Sequence, residues 1–189
     1  MVHKVISKAY PVVQQWTAPD APSSNGILAS TLLTTAVQVI TTGITNPDFP
    51  RVLVIDSDGA ATGNVVIIGT NIRGETITDT IALNGTNAVP GVKAFKTIKS
   101  IQLPVKAASE SVWVGWLDKL GLQSIPLSTS VISETSNNAA DTGGAILTRD
   151  SDEIEKCVYD PTTECDASVD KAVVYISNEQ PTKVAGYTE

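Results

Sequence analysis

The side chains able to move protons or hold metals are few in this sequence, and they are scattered. Its only histidine is His3, so a Ser-His-Asp or Cys-His relay would have to recruit the very start of the chain, where nothing in the sequence positions it. Neighbouring carboxylates occur in Asp56-Ser57-Asp58-Gly59 and in Asp150-Ser151-Asp152-Glu153. Two carboxylates are what a glycosidase needs, but no aromatic cluster surrounds either pair to form sugar subsites, and an Asp in a turn commonly bonds the backbone two residues on. A structural zinc site takes four Cys or His ligands, which Cys157, Cys165 and His3 cannot supply. Calcium takes oxygens, and Asp150, Asp152, Glu153, Glu155, Asp160, Glu164, Asp166 and Asp170 offer them. Their spacing departs from an EF-hand, because Ile154 is fifth in the run and Lys156 falls near the place of the glycine turn. The segment reads instead as a solvated acidic loop. Cys157 and Cys165 flank Pro161 and could close a short bridge or stay as two thiols; with no histidine beside either, a catalytic thiolate is not expected. The inventory predicts a protein that is not an enzyme and uses no cofactor or metal.

What the chain has in quantity is strand-forming sequence. In the stretch from Asn64 to Pro104, β-branched residues alternate with threonine and Gly-containing turns interrupt the runs, as in half-buried strands. A turn at Arg73-Gly74 would put Val66 and Ile68 on one face with Ile77, Ile81 and Leu83, leaving Thr76, Thr78 and Thr80 on the other, since side chains alternate along a strand. The same register sets Asp79 among the isoleucines, where a carboxylate must find a partner or the register must slip. Asn84-Gly85-Thr86 marks the next turn, because Asn and Gly tolerate positive φ. Phe95, Ile98 and Ile101 recur in steps of three, which is expected of a bulged strand here, with a short helix as the competing form. Strands are expected over 37–41, 51–55, 64–70, 76–83, 94–103, 112–114, 130–133, 145–148 and 172–177. Gly59, Gly63 and Gly69 lack the spacing of a phosphate loop and read as turns and a close strand approach. The expected fold class is all-β, an antiparallel sandwich or barrel-like domain.

At 189 residues, 42% hydrophobic and 17% charged, the chain can bury one core without disulfides or metals. Low charge with much Thr, Ser, Ala and Val suits a surface that meets other protein surfaces. Residues 1–149 hold ten acids and ten bases, whereas residues 150–189 hold ten acids and three bases, so the net charge of -7 belongs to the end of the chain. Such a segment repels nucleic acid, and Lys93, Lys96, Lys99 and Lys106 read as solvated strand positions rather than a phosphate track. No run approaches the roughly twenty apolar residues of a membrane helix. The start, broken by Lys4, Lys8 and Pro11, does not read as an export signal. Neither nucleic acid nor membrane is expected as a direct partner. Residues 1–35 are expected to form an extended, proline-punctuated N-terminal arm, and residues 36–189 a single β domain that includes the acidic Cys-containing segment 150–170. In the arm, Tyr10, Val12, Val13 and Trp16 stand near prolines with no helical face to share. They are expected to lie on a neighbouring subunit, with folding back over the chain's own sandwich as the competing placement.

Three strings occur in a telling order: Leu83-Asn84-Gly85-Thr86, Lys93-Ala94-Phe95, and Lys119-Leu120-Gly121-Leu122 followed by Pro126. With the runs between them they resemble small all-β structural proteins that tailed bacteriophages encode among their head and tail genes. The resemblance covers roughly residues 30–135, and the Val173-Val174-Tyr175-Ile176 run resembles the usual end of such chains. The chain departs from that pattern at Trp116-Leu117, where small residues are usual, and in segment 150–170, which has no counterpart. The resemblance implies a virion protein, assembled in the host cytoplasm, whose partners are the major capsid protein or another virion protein and copies of itself. A head decoration protein that cements the capsid lattice is the expected role, and a tail structural protein is its nearest alternative. The residues themselves suggest one more, a carbohydrate-binding or adhesion sandwich using Trp16, Trp113 or Trp116. If one strand carries Trp113 and Trp116, they lie on opposite faces.

Overall fold

The structure is a computed structural model that describes residues 9–106, 109–141 and 143–179. His3 and the other residues before Ala9 lie outside the described residues. In chain order the strands are β1 (Tyr10–Trp16), β2 (Ser23–Leu32), β3 (Gln38–Ile40), β4 (Arg51–Ser57), β5 (Asn64–Thr70), β6 (Thr76–Ala82), β7 (Val89–Phe95), β8 (Thr97–Leu103), β9 (Ser111–Gly121), β10 (Ser133–Ser136), β11 (Ala139–Ala140), β12 (Ile146–Thr148), β13 (Val158–Asp160) and β14 (Lys171–Ser177). A single turn of 3-10 helix, Ile154–Lys156, precedes β13. Every pairing is antiparallel, so the all-β expectation is met. The strands make three sheets: β3-β8-β5-β6; a curled half-barrel sheet, β12-β13-β9-β4-β7, with β2 along the first half of β9; and β1-β14-β10-β11.

The first core lies between the β3-β8-β5-β6 sheet and the curled sheet. Leu53, Ile55, Val65, Ile67, Phe95, Ile101, Leu103, Val112 and Val114 are all buried in it. Its register corrects the sequence expectation by one residue: β5 pairs β6 as Val65 with Ile81, Ile67 with Asp79 and Gly69 with Ile77. Val65 and Ile67 therefore point inward, and Ile68 points out. The cause is the loop. Thr70 pairs Thr76 around five residues rather than two, and the Asn71 side-chain oxygen accepts from the backbone N–H of both Arg73 and Glu75. A one-residue change in a turn flips every side chain of a strand. The bulge expected near Ile98 is present: Ile98 opposes Gly69 and Ser100 opposes Ile68, so Lys99 is the extra residue and both isoleucines stay inside. Between β7 and β8 the chain passes from one sheet to the other. That corner crowds β5, where a Cβ on Gly69 would lie 2.1 Å from the Thr97 carbonyl oxygen, so only glycine fits.

A second core sits under the β1-β14-β10-β11 sheet and gathers residues from both ends of the chain. Val12, Trp16, Leu120, Leu122, Leu147, Ile154, Tyr159, Val173 and Tyr175 are buried there with Cys157 and Cys165. The Trp16 and Tyr159 rings stack at 5.3 Å between centroids and 12° between planes, the geometry aromatic pairs prefer. Of the two placements open for the expected arm, its described part, residues 9–35, belongs to the chain's own body: β1 pairs β14 over its whole length, and β2 pairs β9. The boundary at residue 35 divides nothing in the described structure. Val12 and Trp16 are thus core residues rather than free interface anchors, drawn inward because alternation along β1 gives them the buried face.

Segment 150–170 also departs from its reading as a solvated loop. Ile154, Glu155, Cys157, Val158, Tyr159 and Cys165 are buried, while Asp152, Glu164 and Asp166 remain exposed. The apolar residues between the acids have a core to fill, and Asp150, Glu153, Glu155 and Asp160 find partners at its rim.

Candidate interaction surfaces

The acidic clusters are committed to holding the chain together. Asp150 accepts from the backbone N–H of Asp152 and Glu153 at 2.8 and 3.0 Å, and these bonds hold its carboxyl below the usual range. Glu153 and Glu155 receive Lys93 of β7 at 2.9 and 3.2 Å. Hydrogen bonds from Lys156 and Lys93 hold Glu153 below the usual carboxylate range. For Lys93, partial burial opposes the charge, but the two glutamates more than offset it and its pKa is raised. Asp118 accepts from the Cys165 N–H at 3.0 Å. Asp56 and Asp58, the other carboxylate pair, bond the backbone N–H of Ser57 and Ser111 at 2.8 and 2.7 Å. Both are turn and loop clamps.

Three further polar residues are sealed in and tie remote segments. Arg51, fully buried, donates to both carboxylate oxygens of Asp48 at 2.7 and 2.9 Å and to the carbonyls of Asp20 and Leu117. Glu134 accepts from the Tyr159 hydroxyl and from the N–H and Oγ1 of Thr162. Lys171 donates to Ser136 Oγ and the Thr163 carbonyl at 2.9 and 2.6 Å. None of the three is marked in the sequence, since a charged residue in a strand gives no sign of which way it faces. Both cysteines are free and buried, and burial pushes both thiols up, which disfavours the nucleophilic thiolate.

Two outward strand faces remain. On the β3-β8-β5-β6 sheet the alternation that buries Ile101, Ile67 and Asp79 turns Val39, Gln102, Val66 and Thr80 outward in one row, with Ser100, Ile68 and Thr78 in the next. Val39 is 60% exposed. Lys99 is the one outward-facing charge on these four strands, because Asp79 faces in. There Asp79 Oδ2 accepts from the N–H of Val92 at 2.9 Å and of Lys93 at 3.4 Å, which supplies the partner its burial requires and staples β6 to β7 across the sandwich. The second face belongs to β1-β14-β10. It presents Pro11, Val13 and Gln15 beside Ile176, Val174 and Ala172, with Ser133 and Thr135 beyond, and it carries no charge.

Of the residues expected at an interface, Tyr10 is half-buried and Val13 is 57% exposed on that second face, apart from Val12 and Trp16. Trp113 and Trp116 do lie on opposite faces of β9, Trp116 in the first core with its Nε1 donating to the Ala21 carbonyl at 2.9 Å, and Trp113 half-exposed. Among the described residues no group of three or more Cys, His, Asp or Glu has metal-binding geometry, and no helix is long and apolar enough to cross a membrane. No known protein family matches the chain, and neither does any curated protein or solved structure.

Proposed function

We propose that this chain is a non-enzymatic structural protein of a tailed-phage particle, a decoration protein that cements the head lattice through the outward face of the β3-β8-β5-β6 sheet. The observation that carries the reading is that face, nearly free of charge in a chain of net charge -7. Hydroxyls, amides and aliphatic groups on a pleated surface bury apolar area and form hydrogen bonds without stripping water from ions. At about 25 cal/mol per Å² of apolar area, a modest footprint adds up when repeated over a lattice. The packed isoleucines behind the face hold it in shape, so little ordering entropy is spent on docking. Of the strings that carry the phage resemblance, Leu83-Asn84-Gly85-Thr86 follows β6 of this sheet, whereas Lys93-Ala94-Phe95 ends β7 and Lys119-Leu120-Gly121 ends β9, both in the curled sheet.

Purified protein is expected to rebind heads stripped of it and to raise the temperature at which they release DNA. Rebinding should survive moderate salt, since an uncharged footprint is screened far less than surface ion pairs. Placing Lys at both Thr78 and Thr80 should abolish rebinding while circular dichroism stays unchanged. Heads that ignore the protein while tails take it up would move the assignment to a tail structural protein. Quenching of Trp113 fluorescence by glycans would move it to carbohydrate binding.

A further inference from the structure

The backbone of β1 has one side to spare. Within the third sheet, Ile132 N–H donates to the Val174 carbonyl, Leu127 N–H to the Ile176 carbonyl and Asn137 N–H to the Asp170 carbonyl. The even-numbered residues of β14 thus turn their peptide groups away from β1, and Lys171, Val173, Tyr175 and Ser177 turn theirs toward it. Their partners are Trp16, Gln14, Val12 and Tyr10. By the alternation of an antiparallel ladder, Pro11, Val13 and Gln15 direct their peptide groups to the open edge. The Val13 carbonyl accepts a hydrogen bond there from Gln123 Nε2 at 3.4 Å, which leaves its second lone pair, and among the described residues nothing accepts from the N–H of Val13 or of Gln15.

Among the described residues several other edges are short or interrupted. β3, β11 and β12 are three, two and three residues long, β2 is broken by two register shifts, and Asp79 staples the edge of β6 to that of β7. Natural sheets blunt a long edge with charge or with proline, and Pro11 is the one such residue in β1. β1 runs seven residues, Tyr-Pro-Val-Val-Gln-Gln-Trp, with no charge.

We propose that β1 pairs with β1 of a second copy, antiparallel about a twofold axis through Val13, joining two four-stranded sheets into one. This pairing does not rest on the virion reading. The strand is self-complementary in that register: Val13 faces Val13 of the other copy and exchanges two N–H···O bonds, and each Gln15 N–H meets the Pro11 carbonyl opposite. Proline's missing donor falls at the outer rungs, so the central rung is complete. The second copy is favoured over an acidic or basic peptide because nothing on this strand or its outward neighbours offers a charge to select one, and because two chains of net charge -7 can approach only where neither presents carboxylates. The outward faces, Val13 with Val174 and Ile176, then run on into each other as one apolar surface.

Sedimentation equilibrium of the full chain should give a species of twice the 19.8 kDa chain mass. Val13→Pro removes the N–H at the axis but no bond to β14, and Val13→Lys sets two like charges face to face; both should yield monomers with unchanged circular dichroism. Val13→Cys should form a disulfide-linked dimer on mild oxidation, since directly opposed residues of a hydrogen-bonded pair bring their Cα atoms to about 5.5 Å, whereas cysteine at exposed Asp152 should not. A wild-type chain that stays monomeric to about 1 mM, including one that takes up another protein's strand instead, would overturn the proposal. So would a Val13→Lys variant that still dimerises.

Discussion

The two cores of this protein are built on different terms. The first, between the β3-β8-β5-β6 sheet and the curled sheet, is filled mainly by Ile, Leu and Val, with Asp79 turned in at its edge. The second is smaller, stacks Trp16 on Tyr159, and includes two thiols and two phenols, with Gln14, Glu134 and Lys171 buried around it. Aliphatic packing is non-directional and tolerates many sequences. A polar-laced core is specified by its hydrogen bonds, and each one left unmade costs about 1–3 kcal/mol. β9 joins the two, burying Val112 and Val114 in the first and Leu120 in the second. The chain is therefore expected to unfold as one unit in which the second core carries the conditional part of the stability.

The largest expected effects test that unity. Trp16→Ala should cost about 3–5 kcal/mol and Ile101→Ala about 2–5 kcal/mol, and both should move a single urea transition. Two separated transitions, with Trp16→Ala moving only one, would show that the cores unfold independently.

Alkali should then distinguish them. Burial, with the hydrogen bond to Glu134 in the case of Tyr159, raises both the Tyr159 phenol and the two thiols, and Tyr175 is pushed up to about 12. A group that holds its proton more tightly when folded stabilises fully below its unfolded pKa, and that contribution is lost as pH rises toward the folded value. With unfolded values of about 8.5 for a thiol and about 10 for a phenol, stability should be flat below about pH 8 and decline through about pH 12. No member of the first core titrates there. Urea midpoints against pH, with phenolate absorbance followed in parallel, provide the check, and Tyr175→Phe should make the decline shallower.

A smaller effect tests Asp79, whose carboxylate faces the aliphatic core. Asp79→Ala leaves the Val92 N–H without its acceptor and should cost about 1–3 kcal/mol. Gly91→Ala should act in the same direction, because a Cβ there would lie 2.6 Å from Asp79 Oδ2. Finally, Thr78→Ser on the outward face should change stability by less than about 0.5 kcal/mol, so that any loss of head binding in that variant is a surface effect.

What could be read in advance follows the same division. Strands near 51–57, 64–70, 76–82 and 171–177 were legible, because β-branched alternation signals a strand wherever it is regular. β1 and β2 were not, since prolines and serines there mask strands that exist only because β14 and β9 pair with them. The outward threonines of β6 were legible as a face, whereas the open edge of β1 was not, because an edge is defined by which strands fail to pair.

By itself the sequence determined the class: an antiparallel β protein with a neutral body, an acidic end and little equipment for proton transfer. Two things were decided only by the tertiary structure. One is which face of β5 is buried, since strand alternation has a period of two and the five-residue loop held by Asn71 sets the parity. The other is the second core, whose partners, Trp16 with Tyr159 and Val12 with Val173 and Tyr175, lie more than a hundred residues apart. Local pattern states that such residues are apolar; only closure of the chain states what they meet.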